Sequence, residues 1–322
     1  MSEYINTLSL ADLTHGMHFD GIVLVRTAEF RETQAGKKYL DMNVSDRTGT
    51  MNAKMWDASV APPAIGSVIH IRASGNEYNG RMQLRLEKVD TIRPTDTIDW
   101  NSLVPSAPED PVAMREEITT AAESIPDSDY SLLTCALLER CGDKILTFPA
   151  AKQMHHAERS GLLHHTVTML RTAKALLPIY PQLNASLLIA GVIVHDLGKL
   201  NEMNGDDMGF VSDYTLEGKL IGHIIRGVIL IEEVGKSLNI HPQKILLLQH
   251  MVLSHHGIPE YGSPKPPMLA EAEFLHLIDT LDARMNEMEE AISHTSPGSF
   301  SEKIWGLDNR QIYRMPHFEP RE

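Results

Sequence analysis

Apolar residues alternate with polar ones between about residues 15 and 92, and recur at helical spacing from residue 111 onward. A chain with two periods has to build two kinds of core, because alternation buries one face of a strand whereas a 3.6-residue period buries one stripe of a helix. The alternating part divides into Gly21–Phe30, Lys38–Asp46, Thr50–Asp57, Ser67–Ser74 and Arg81–Asp90. Between them stand the turn signals Ala35-Gly36, Arg47-Thr48-Gly49, Pro62-Pro63 and the hairpin pair Asn79-Gly80. Five short strands in so compact a stretch predict a small closed barrel. Pro94, Pro105, Pro108 and Pro111 then mark residues 93–110 as a linker. Helices are expected over 111–124, 129–141, 162–177, 183–195, 215–235, 242–255 and 268–292, with Gly198 and Gly257 where helix stops belong. The reading is multidomain: an all-β barrel at 1–95, linker and helix at 96–128, an all-α domain at 129–294 and a polar tail at 295–322 that wraps the domain or mediates assembly.

Composition narrows the setting. The longest uncharged apolar run, Ala185–Val194, is half the ~20 residues that a membrane-spanning helix needs. Met1-Ser2-Glu3-Tyr4 lacks the basic stretch and apolar core of a secretory signal. Two cysteines, Cys135 and Cys141, cannot form a disulfide framework, so a reducing cytoplasm is expected, with no membrane partner. The net charge of −14 is unevenly spread. Residues 1–95 hold 11 basic and 11 acidic side chains, so the whole excess falls in the helical part. A neutral module joined to an acidic one is compatible with two jobs, although acidity is also a plain solubility device.

Alternation assigns faces within the barrel. Leu40, Met42 and Val44 point one way and Tyr39, Asp41 and Asn43 the other; Met51, Ala53 and Met55 point in, and Asn52, Lys54 and Trp56 out. Met82, Leu84 and Leu86 are inward, with Arg81, Gln83 and Arg85 outward. Two aromatics and three cations on outward positions make a platform for stacking bases and tracking a phosphate backbone. The alternative is that Tyr39 and Trp56 cover a barrel end or dock against the second domain. The run Gly36-Lys37-Lys38-Tyr39-Leu40, followed by Ser45-Asp46-Arg47-Thr48-Gly49-Thr50-Met51-Asn52-Ala53-Lys54-Met55-Trp56, resembles an OB-fold of the nucleic-acid-binding type. That resemblance implies binding of single-stranded RNA or DNA, with Lys37 and Lys38 joining the outward residues.

Twelve of the sixteen histidines lie between residues 155 and 294. A lone His on a helix is usually a core or surface residue, so the argument rests on the ensemble. Asp196 follows a long apolar run and His195, and a charge there is costly unless paired or bound to a cation. His with carboxylate suits Mn, Fe, Co, Ni or Zn, and the absence of a Cys cluster excludes a thiolate site. The elements His165, His195-Asp196, His223, His255-His256 and Asp279, in that order, resemble the HD-domain metal-dependent phosphohydrolases. The resemblance implies that His165, His195, Asp196 and Asp279 hold one metal and that His223, His255 and His256 hold a second, with Asp196 bridging. His165 is preferred to its neighbour His164 because the family's ligand precedes a small hydroxyl residue, here Thr166. Asp282 is the rival to Asp279, and His276, three residues before Asp279, is placed to orient that carboxylate.

Both halves together are similar to the bacterial YhaM family of 3′→5′ exoribonucleases. The similarity spans about residues 15–290 and includes His155-His156, Tyr214-Thr215, Glu217-Gly218, Gly222-His223 and Ser254-His255-His256-Gly257. It implies hydrolysis of single-stranded RNA, or of single-stranded DNA, to nucleoside monophosphates, and a homo-oligomer. The cofactor expected is two divalent transition-metal ions, Mn²⁺ first, with Fe²⁺, Co²⁺ or Ni²⁺ as alternatives. Asp196 and Lys199 are the expected catalytic residues, and Lys199 and Arg226 the expected phosphate contacts. The rivals are a nucleotide or cyclic-dinucleotide phosphohydrolase and a non-catalytic nucleic-acid-binding regulator.

Overall fold

The computed structural model describes residues 3–4, 8–33, 36–56, 61–78, 81–93, 96–152, 156–206, 208–293 and 295–317. Ala35, Asp57, the Asn79-Gly80 turn and His155 lie outside them, and so does the side chain of Arg81. The chain divides into two units, residues 1–106 and 107–322. This boundary falls later than the expected end of the barrel at residue 95. A short 3-10 turn at Trp100–Ser102 supplies the reason, because Ser102 O accepts the Arg47 amide at 3.1 Å and ties residues 96–106 to the barrel. The helix expected with the linker belongs to the second unit, where Met114 and Ile118 enter the helical core.

Five strands form a closed barrel: β1 (His18–Glu32), β2 (Lys38–Asp46), β3 (Gly49–Met55), β4 (Val68–Tyr78) and β5 (Arg81–Thr91), in the order β1-β2-β3-β5-β4. The parallel pairing of β3 with β5, Ala53 opposite Leu84 and Lys54 opposite Arg85, closes the ring. Leu40, Met42, Val44, Ala53 and Leu84 are fully buried, as the alternation requires. Asp41 is on the outward face yet buried, because Asn52 Nδ2 donates to it at 2.7 Å and Arg31 Nε lies 3.3 Å away. The β2–β3 turn is an anchor. Buried Asp46 accepts the Leu10 amide at 2.6 Å and the Thr48 amide at 2.8 Å, which fastens the N-terminal 3-10 turn Leu10–Asp12 to the barrel.

The second unit is built from α1 (Pro111–Glu123), α2 (Ser128–Cys141), α3 (Gly161–Leu176), α4 (Ala185–Val194), α5 (Lys199–Glu202), α6 (Leu216–Leu220), α7 (Gly222–Ser237), α8 (Pro242–Ser254) and α9 (Ala270–Ser293). Caps set several starts: Asp110 with Pro111, Asp127, Asn184 and Thr215 each accept a backbone amide of the first turn. Every residue of α4 from Ser186 to Val194 is buried. A helix apolar all round has no solvent face to offer, and α4 is accordingly packed by α1, α2, α3, α8 and α9. The helix expected over 215–235 is broken in two at Gly222, whose φ of +77° leaves the helical region. The short α5 and the hairpin Met203–Gly205 with Val211–Tyr214 were not expected from periodicity. They are too short to display one. The tail folds back on α9, where Arg314 Nη1 donates to Thr295 O at 2.7 Å and Ile292 O at 3.2 Å. Among the described residues no helix is long and apolar enough to cross a membrane.

Asp127 joins two levels of this architecture. Its carboxylate caps α2 through the Asp129 and Tyr130 amides and takes Lys244 Nζ of α8 at 2.7 Å. The hydrogen bond from Lys244 holds this carboxyl below its ordinary value. A depressed carboxyl pKa stabilises the fold above the ordinary Asp range and loses that effect as pH falls through the folded value. Asp127→Ala is therefore expected to lower unfolding stability by about 1 kcal/mol at pH 7 in urea titration, and by less below about pH 4.

Candidate active site

The end of α4 carries the site. The chain leaves this helix through His195, Asp196 and Gly198, and Gly198 admits no side chain, because a Cβ there would lie 2.1 Å from His223 O. That close approach lays the start of α7 against the end of α4. His165 comes from α3, Asp279 from α9, and His255-His256 from the end of α8. The positive φ of Gly257, +81°, ends α8 there, and a Cβ would meet the His276 ring at 2.5 Å.

All seven sequence-predicted ligands converge. His165 Nε2 lies 3.3 Å from His195 Nε2, 3.4 Å from Asp279 Oδ1 and 3.8 Å from Asp196 Oδ2. The other oxygen of the same carboxylate, Asp196 Oδ1, is 3.5 Å from His223 Nε2 and 3.7 Å from His255 Nε2. His256 completes a group with His223 and His255 whose ligand atoms lie within 4.8 Å of one another. Asp196 thus faces one set of ligands with each oxygen.

The far side of every imidazole is tethered. Nδ1 of His195 meets Val192 O at 2.8 Å, that of His255 meets Val252 O at 2.7 Å, and that of His256 meets Tyr261 O at 2.6 Å. His165 Nδ1 meets Asp282 Oδ2 at 2.6 Å, and His223 Nδ1 meets Glu202 Oε1 at 3.0 Å. A carbonyl or carboxylate acceptor takes an N–H at Nδ1, so each ring turns its Nε2 to the common centre. Metal-binding imidazoles are held in this way. Asp196 Oδ1, His223 Nε2 and His255 Nε2 are buried with no hydrogen-bond partner, a costly arrangement in a protein interior that cations between them would resolve. The donor set therefore fits divalent metal.

Charges in the centre agree. Burial pushes the Asp196 carboxyl up, but Lys199 and His195 outweigh it and hold the group well below its ordinary value. Burial, His256 and His195 push His255 well down, and burial with His223 lowers His256, so both stay neutral. Burial lowers His165, but Asp279 and Asp282 reverse this and raise it to about 10. Two carboxylates thus call for positive charge at His165, which a cation against Nε2 would supply. Lys199 Nζ sits 2.7 Å from Asp196 Oδ2.

Other expected positions fall elsewhere. Arg226 Nε lies 3.3 Å from Glu217 Oε1, and the residue lines a cavity that none of the seven ligands lines; the expected phosphate contact does not face the centre. His276 bonds His255 O at 2.8 Å instead of orienting Asp279. Asp282 is the partner of both His165 and His156, the latter at 2.8 Å. His164 turns away to Glu158 at 2.9 Å. Glu202 and Glu158 were missed in the sequence reading, since isolated carboxylates near helix ends carry no pattern.

On the barrel, the rings of Tyr39 and Trp56 stack with centroids 4.9 Å apart. Lys54 Nζ lies 5.9 Å from the Tyr39 ring and 5.8 Å from that of Tyr78, an exposed aromatic that alternation did not single out. Arg85 is opposite Lys54 in the sheet, and Lys37 and Lys38 are exposed at the start of β2. Tyr39, Trp56, Lys54 and Tyr78 thus lie together on the barrel, and the side chain of Arg81 is outside the described set.

Comparison with known proteins accords with this geometry. The HD domain family model matches residues 162–284, which contain all seven converging ligands. A helicase-family model, TraI_2, matches residues 114–180 and so includes only His165 of them. A solved structure, the second OB-fold domain of replication protein A from Methanococcus maripaludis, aligns over 98% of its length and 29% of this chain at 12% identity and a TM-score of 0.23. Proteins named 3′-5′ exoribonuclease YhaM are similar over nearly the whole chain. That of Halalkalibacterium halodurans is 40% identical over 95% of both chains. That of Listeria monocytogenes is 39% identical over 96% of this chain and 99% of its own, and that of Oceanobacillus iheyensis is 36% identical over 97% and 98%. With this identity over nearly the full length of both chains, the chain belongs to the YhaM family of 3′-5′ exoribonucleases.

Proposed function

We propose that this chain is a metal-dependent 3′→5′ exoribonuclease that shortens single-stranded RNA and releases nucleoside monophosphates. The observation that carries this reading is the convergence of seven Nε2 and carboxylate donors on one buried centre. His165, His195, Asp196 and Asp279 would hold one divalent transition-metal ion, and His223, His255, His256 and Asp196 a second, with Mn²⁺ the first ion to test and Fe²⁺, Co²⁺ and Ni²⁺ equally compatible with mixed His and carboxylate donors. When bound, such ions lower the pKa of a water toward neutrality and offset the charge of a phosphate. Lys199 would add its charge beside Asp196 as the leaving oxygen departs. Glu202 and Asp282 keep His223 and His165 in register. No side-chain nucleophile is required.

The barrel supplies the grip. Tyr39, Trp56 and Tyr78 offer faces to bases, while Lys54, Arg85, Lys37 and Lys38 offset the backbone charge that an acidic helical unit repels. Unpaired Cys135 and Cys141 support a cytoplasmic setting. The exposed stripe Leu277, Leu281 and Met285 on α9 supports a homo-oligomer.

Three outcomes are expected. Asp196→Asn abolishes release of mononucleotides from 3′-labelled RNA while a mobility-shift assay still detects RNA binding; loss of binding alone, with turnover retained, would overturn the reading. Tyr39→Ala with Trp56→Ala raises KM for RNA by about 10-fold or more, since each stacked base contributes ~1–3 kcal/mol, and lowers kcat far less. Asp282→Asn weakens Mn²⁺ binding about 10–100-fold in calorimetric titration, as loss of a ligand's hydrogen-bond partner does. Parallel assays on single-stranded DNA and on free and cyclic dinucleotides separate this activity from the related phosphohydrolases.

A further inference from the structure

The helical unit contains a cavity of about 330 Å³ that none of the seven ligands lines. Its walls include Arg140, Lys144, Leu197, Asn201, Arg226 and Ile231. Three cations and no described carboxylate line it, in a chain where acidic residues outnumber basic ones 43 to 29. The floor is aliphatic, with Leu137, Val194 and Leu230 beside Leu197 and Ile231. The volume is at the lower end of the ~300–1,000 Å³ of small-molecule sites, enough for one nucleotide.

The cations are held loosely enough to exchange partners. Arg140 Nη2 is 3.4 Å from Glu233 Oε2, and Arg226 Nε is 3.3 Å from Glu217 Oε1. The Arg140 pair is exposed and contributes little, whereas Arg226 is half-buried and its buried Nε makes no hydrogen bond, so a phosphate can replace the carboxylate of the first and give the second an acceptor. Lys144 is exposed along its stem, with its head against the protein. Its Nζ donates to Leu200 O and lies 4.8 Å from the Phe148 ring centroid. Burial pushes this ammonium's pKa down, a penalty that a bound dianion would offset.

The walls also share their backbone with the metal centre. Val194 and Leu197 flank His195-Asp196, Asn201 precedes Glu202, and Arg226 is one turn from His223. We infer that this cavity is a second site for a nucleoside monophosphate, with its phosphate on Arg140, Lys144 and Arg226 and its ring on the aliphatic floor, and that occupancy slows the metal centre. The choice of ligand rests on the proposed exonuclease reading, since such hydrolysis releases that compound; the cationic cavity does not.

The test is calorimetric titration of AMP, and separately of inorganic phosphate, into the full-length protein in EDTA. Wild-type protein is expected to bind AMP with a Kd below about 1 mM and more tightly than phosphate. Arg140→Glu, which reverses a charge at the rim, and Asn201→Trp, which fills the mouth, each weaken AMP at least about tenfold while the unfolding midpoint without ligand stays unchanged. With Mn²⁺, AMP lowers kcat for bis(p-nitrophenyl) phosphate in the wild type and not in Arg140→Glu. Absence of AMP binding, equal affinity in wild type and both variants, or purely competitive inhibition that Arg140→Glu leaves intact would overturn the proposal. Binding in EDTA is read whether or not the chain degrades RNA, so the two proposals fail separately.

Discussion

One buried carboxylate organises the helical unit. Asp196 follows the most apolar helix of the chain and is almost wholly removed from water. Such a charge is unfavourable by several kcal/mol unless opposite charge surrounds it. Lys199 brings such charge to 2.7 Å, and four helices bring the expected metal-holding side chains to the same centre: α3 with His165, α7 with His223, the end of α8 with His255 and α9 with Asp279. The fold is therefore arranged around the oxygens of one residue, one facing each set of imidazoles. The apolar character of α4 follows from the same requirement. A helix that delivers a ligand to the centre of a bundle has neighbours on every side and no polar face to keep.

Precision comes from the atoms behind the ligands. Five imidazoles have Nδ1 fixed by a carbonyl or a carboxylate, which leaves one tautomer and one ring orientation for each. Backbone acceptors serve His195, His255 and His256, and carboxylates serve His165 and His223. The two carboxylates come from α9 and α5, so the centre also stitches those elements to α3 and α7. His156, pinned by Asn286 at its amide and by Asp282 at its ring, extends the same network into the loop before α3.

Much of this was legible in the sequence, for physical reasons. Strand alternation is set by backbone geometry, so Lys38–Asp46 could be placed to the residue and the buried Leu40, Met42 and Val44 with it. The buried charge expected of Asp196 drew attention to the histidines, and their resemblance to the HD-domain set made them recognisable as an ordered group. What periodicity could not reach was short or non-local. The four-residue α5 and its hairpin contain less than two turns of pattern. Glu202 acquires its role only because Gly198 allows α7 to lie against the end of α4. Arg226 was expected as a phosphate contact, but its guanidinium is taken by Glu217, a pairing across two helices that no sequence period displays. The division after residue 106 falls inside the expected linker 93–110, and residues 96–106 stay with the barrel because Pro marks irregular backbone, not loss of contact.

The account stands on two cations sharing Asp196, and their number can be counted. Protein stripped with chelator, reloaded with Mn²⁺ and desalted would be analysed for manganese per chain by elemental analysis. Two equivalents are expected in the wild type, falling to one when His223 and His255 are both replaced by Ala. A wild-type value of one or none, or a value unchanged by those replacements, would contradict the shared centre described above.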